Sequence, residues 1–272
     1  MTSDDATLST EACLAAIEMH SRGLAEAARD NLGAPVEHCP GWSVADLVWH
    51  VTGVHWFWAT IAEERPDSPP DESRRPSRPA KDELMATFEK GARRLVDVLR
   101  AADQDAACWT WAPAQQDVAF ITRHQVQEAA VHHWDAANAA GHRLQVEADV
   151  AMDAVEEFLT FSMSTETDPA EPPRPALNGA VWICPCVSDR ESPVWLIEDG
   201  ATPGTVTWQR LPEGAQVTDL VAAGLPVVGG HADPANVLLW LYGRVPDPWG
   251  SGGSGTGDTT VLDRLRALSF TV

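Results

Sequence analysis

The chain has 272 residues, with 19 Lys and Arg against 40 Asp and Glu, for a formal net charge of -21 at pH 7. A surface this acidic repels phosphate backbones and anionic headgroups, which argues against nucleic acid and membrane surfaces as partners. The length exceeds what one small core needs, the 44% apolar content is globular, and no run of about 18 apolar residues marks a membrane span.

Helical spacing of Leu8, Ala12, Ala16, Ile17, Leu24 and Ala27 predicts a first helix from Thr7 to about Asn31, with Ser9 as a candidate cap. "LGAPVEHCPGW" stops it with two Pro and two Gly. The second helix, "WSVADLVWHVTGVHWFWATIAEE", has Ser43 as N-cap and Asp46 at N3, a variant of the capping box. Leu47, His50, Val54, Phe57 and Ile61 share one face of it, which places His50 within an apolar stripe. Glu64 to Lys81 holds five Pro and no large apolar residue, and reads as a long surface loop. Helices are predicted at about Asp82 to Ala102 and Val118 to Ala140, the latter ended by Gly141, with a fifth candidate in "EADVAMDAVEEFLTFSM".

From Glu166 to Ala180 the composition shifts to a Pro-rich linker. "AVWICPCV", "SPVWLIED" and "GTVTWQRL" then read as short strands. "DLVAAGLPVVGGHADPANVLLWLYGR" mixes helix and turn signals, with Asp233 and Pro234 as an N-cap and N1 pair. "WGSGGSGTGD" reads as a flexible loop, and "TTVLDRLRALSF" as a closing helix. The expected fold is α+β in two domains: an antiparallel four-helix bundle over residues 1–166 and a small α/β unit over 178–272. The twelve Trp require partners for their indole N–H groups. Five scattered cysteines (Cys13, Cys39, Cys108, Cys184 and Cys186), without a recognisable leader after Met1, read as reduced thiols of a cytoplasmic protein.

"RHQVQEAAVHHWD" carries the chemistry. Glu128 and His132 stand at i and i+4, so both leave one helix face and can hold one ion together. With His50 from the second helix they make a set of two His and one carboxylate. On Zn²⁺ such a set leaves a fourth position open, as catalytic sites do. The same spacing also occurs in ordinary helices. His124 shares the Glu128 face, His133 adjoins His132, and Asp46 lies one turn before His50, so spacing alone leaves the ligand set open. Cys184-Pro185-Cys186 lacks the second pair that a zinc site would need and reads as buried small residues.

"GWSVADLVWHVTGVHWFWA", "RHQVQEAAVHHWDA" and "GGHADPANVLLWLYGR" together resemble the signatures of the mycothiol-dependent maleylpyruvate isomerase family, of the DinB-like superfamily. The resemblance implies a DinB-like metal-binding bundle, a C-terminal α/β domain of the family's type, and Zn²⁺ or another divalent metal on His50, Glu128 and His132. It also implies mycothiol as thiol cosubstrate. Arg244, at the end of "LYGR", matches a family arginine expected to face the site across the domain cleft and bind a substrate carboxylate; Arg123 is a weaker match of the same kind. Asp135, one turn beyond His132, reads either as a support for its second ring nitrogen or as a solvated helix acid.

The function so implied is a zinc-dependent, mycothiol-using transferase or isomerase that activates a thiol for attack on a small electrophile, in a monomer or weak homodimer. A zinc hydrolase on the same scaffold, with Asp46 or His124 as base, and a non-catalytic metal- or small-molecule-binding module are the alternatives.

Overall fold

The computed structural model describes residues 7–164, 174–187 and 192–269, apart from 213, 216, 218–220 and 223. The chain forms two compact units, Met1–Val146 and Glu147–Val272. No helix among the described residues is long and apolar enough to cross a membrane.

The first unit is a four-helix bundle of α1 (Thr10–Ala28), α2 (Val44–Glu64), α3 (Leu84–Ala101) and α4 (Val118–Ala139). Helix α1 packs on α4 and α3, and α2 packs on α3 and α4. Side-chain caps mark the starts of α1, α2 and α4, but not that of α3. Ser9 accepts the Ala12 N–H, and Asp117 accepts the Phe120 N–H. Ser43 and Asp46 form the reciprocal capping box read from the sequence. Gly141, at φ +74°, turns the chain out of α4. The buried line of α2 differs from the expected stripe. It runs through Val44, Leu47, Val48, Val51, His55 and Trp58, while His50 lies half-buried at its margin. A histidine at a margin can turn toward a neighbouring helix instead of into the core.

Residues 65–83 cross the surface with only a short 3-10 turn, Glu72–Arg74. Arg74 forks onto Glu64, and Arg78 reaches Asp46 at 2.6 Å, so this loop is tied along α2.

In the second unit, α5 (Ala148–Glu157) continues into a π-helical turn, Phe158–Met163, where one longer helix is expected from the sequence. Helix α5 packs on α6 (Pro234–Leu241), and the π turn on β3. The five-stranded sheet has the order β3-β2-β1-β4-β5, with β1 at Ala180–Pro185, β2 at Val194–Asp199, β3 at Val206–Leu211, β4 at Val227–Ala232 and β5 at Ser254–Gly257. Strands β1 and β4 are parallel, and the other pairs are antiparallel. Helix α7, Thr260–Ala267, packs on β1 and β4. Two tryptophans find the expected partners: buried Trp195 Nε1 donates to Glu156 at 2.8 Å, and half-buried Trp208 Nε1 to Thr160 at 3.1 Å.

Two expectations fail in this unit. "PVVGGHA" is strand β4, and the Gly/Ser-rich stretch contains edge strand β5 and not only a loop. The glycines there serve close approach. A Cβ on Gly230 would overlap the Ser254 carbonyl across the ladder, and one on Gly229 the Trp182 indole. Much of the Pro-rich linker, at 165–173, lies outside the described residues.

Candidate metal centre

Packing of α2 on α4 brings three side chains together. His50, Glu128 and His132 each offer one donor atom, and these atoms lie within 4.8 Å of one another. The His50 and His132 rings meet edge to face, with centroids 5.1 Å apart, and the Trp42 ring packs against His50 at 5.0 Å. Glu128 Oε2 stands 3.5 Å from His132 Nε2. A tetrahedral ion with arms of about 2.1 Å places its ligands about 3.4 Å apart. This pair is therefore near coordination spacing, and small rotations would bring in His50.

Asp135 fixes which nitrogen is presented. His132 Nδ1 lies 3.1 Å from Asp135 Oδ2, and Asp135 is 1% exposed. That bond holds the ring with Nε2 toward Glu128, the arrangement that carboxylates impose on metal-binding histidines. Burial opposes the charge on Glu128, yet its hydrogen bond to His132 and the nearby imidazoles of His132, His124 and His50 hold its pKa at about 2. Burial likewise opposes the charge on His132, but Asp135 and Glu128 outweigh it and raise its pKa to about 9. The donor set fits a divalent ion: an ionised carboxylate, an oriented imidazole and a second imidazole, all half-buried or buried.

The other sequence candidates take separate places. His124 is buried beside Glu128 at 4.0 Å, but the Gln127 amide donates to its Nδ1 at 2.9 Å. Its ring sits among Phe120, Trp58 and Trp111, with centroids 5.3 to 5.6 Å away. This aromatic surround was not legible from the sequence, because Trp58 and Trp111 come from separate segments. His133 turns toward α1, its Nδ1 3.1 Å from His20 Nδ1, in space left by Gly23. Asp46 is held by Ser43 and then by Arg78, which bring its pKa to about 2. Arg123 is half-buried on α4.

His55, not singled out from the sequence, is 2% exposed and stacks on Phe88. Burial, offset in part by Glu128, lowers its pKa to about 4. In the second unit, Arg244 is 4% exposed and donates to the Tyr242 carbonyl at 2.7 Å. None of the five cysteines is joined in a disulfide. Cys184 is core, as expected, while Cys186 is exposed; Cys39 is buried in the bundle core.

Residues 13–137, which span the bundle, match the family described as the mycothiol maleylpyruvate isomerase N-terminal domain. His50, Glu128 and His132 fall inside the match, and Arg244 outside it. No curated protein matches the chain. A solved structure described as the mycothiol-dependent maleylpyruvate isomerase aligns over 92% of this chain and 93% of its own, with a TM-score of 0.57 and 13% identity. At that identity the likeness is one of fold.

Proposed function

We propose that the chain is a cytoplasmic metalloenzyme, monomeric or weakly dimeric, that uses Zn²⁺ and mycothiol to transfer a thiol to, or isomerise, a small electrophile. The observation that carries the reading is the convergence of His50, Glu128 and His132, with Asp135 holding the far side of His132. His50, Glu128 and His132 would hold a divalent ion, and the chemistry it would supply is Lewis acidity that makes thiolate available near neutral pH. The protein's own part is to supply one carboxylate and two imidazoles, to hold the His132 ring by Asp135, and to flank His50 with Trp42. Arg244 is assigned to a substrate carboxylate on the sequence resemblance.

Thiol chemistry is preferred to hydrolysis because the bases that hydrolysis would need are engaged. Asp46 is bound by Ser43 and Arg78, and His124 Nδ1 by Gln127. The test is product analysis of zinc-loaded protein with a panel of electrophiles, with and without mycothiol. Thiol-dependent adducts or cis–trans isomers are expected. Hydrolysis products formed without thiol would overturn the reading, and so would unchanged reactants.

A further inference from the structure

The arginines of the 65–83 loop fasten it to one particular face of α2. Arg78 lies on Asp46. The Arg75 guanidinium fills the notch left by Gly53, where a Cβ would overlap it. Asp46, His50 and Gly53 are related as i, i+4 and i+7, which is one helix face. The stretch from Arg75 to Arg78 therefore runs alongside the turn that carries His50. The lengths agree: seven helical residues rise about 10 Å, and three extended residues span about 10 Å.

The loop's arginines differ in what they hold. Arg74 and Arg78 each have a carboxylate at hydrogen-bond distance. Arg75 has, among the described residues, only Glu72 at 3.7 Å, beyond hydrogen-bond range, and that side chain is 68% exposed. A planar fork of N–H donors is thus left unspent at Gly53, one turn of α2 beyond His50, in a chain whose net charge is -21. Guanidinium geometry matches a carboxylate through two parallel hydrogen bonds.

We propose that Arg75 is an anion-binding residue of this site, seated by Gly53, and that it receives a carboxylate of the small molecule that reacts at the His50–Glu128–His132 cluster. The proposal rests on the metal-site reading above and adds to it a second anion-binding residue, on the loop alongside α2.

The test uses succinate as a probe, with its diamide as the uncharged control. Binding is followed by titration calorimetry on the full chain, both zinc-loaded and chelator-treated, with zinc content measured in parallel. Arg75→Gln removes the fork. Gly53→Ala keeps the charge but displaces it, and Ala is the better helix former, so the fold should hold. In both variants succinate binding should weaken about tenfold or more, with zinc content unchanged, and the diamide should not bind to any form. Equal succinate affinity in wild type and Arg75→Gln would overturn the proposal, as would a wild type that binds no succinate at millimolar concentration. The two readings fail separately. Arg75-dependent succinate binding by a chain that holds no zinc would sustain the anion site and sink the metal reading. Retained zinc with Arg75-independent binding would do the reverse.

Discussion

Asp135 gives His132 its direction. Its carboxylate lies 3.1 Å from Nδ1 and is buried, so the ring cannot readily turn its other nitrogen to Glu128. Partners of this kind typically change metal affinity 10- to 100-fold. Asp135→Asn should therefore weaken zinc binding by about that factor while leaving the helix intact, measured by competition with a chromophoric chelator. Unchanged affinity would show that the carboxylate has no part in orienting the ring. The Glu128, His132 and Asp135 relation was legible in the sequence because all three stand on one helix at i, i+4 and i+7. That His50 joins them was not fixed by spacing, since the contact depends on how α2 packs against α4. Arg75 was equally hidden: its relation to Gly53 spans a loop with no periodicity to read.

At the scale of elements, boundaries followed local chemistry wherever a cap or breaker marked them. Ser43 with Asp46, Asp117 and Gly141 begin or end helices where the sequence says they should. Strands β4 and β5 escaped because their composition imitates a loop. Glycine there answers a tertiary demand, the closeness of Gly230 to Ser254, and not a local preference. Gly230→Ala should consequently destabilise the second unit by about 2 kcal/mol or more, as a backbone clash at a close approach requires. Urea unfolding followed by tryptophan fluorescence would measure it; a loss under about 0.5 kcal/mol would mean that the edge strand yields freely. The end of α5 shows the same limit. The apolar period continues through Phe158, Leu159 and Phe161, but a π turn re-aims those residues.

At the scale of the molecule, the bundle's interior contains histidines held neutral. His20 and His55 are 1% and 2% exposed, and burial lowers both to a pKa of about 4 from 6.5. The unfolded chain binds more protons than the folded one between these values, so stability should fall as pH drops from about 6.5 to 4. The loss is at most about 3 kcal/mol for each group. Glu128 and Asp46, lowered to about 2 from ordinary values of 4.5 and 3.8, add a further loss as pH falls toward and below those values, at the acid end of the window. Thermal melts between pH 7 and 4.5, with His20→Gln beside wild type, would show it; a flat profile in wild type would contradict buried neutral histidines. Two units and the character of the first were readable from the shift of period along the chain, but α5 and the π turn pack with α6 and β3 in the second unit.

The most direct measurement is the metal content of the purified chain by elemental analysis, wild type beside His50→Ala and Glu128→Ala, with circular dichroism to verify folding. About one zinc per chain in wild type, lost from both folded variants, is the predicted result. A wild type that takes up no divalent metal when zinc is supplied, or folded variants that keep it, would contradict a metal centre on His50, Glu128 and His132.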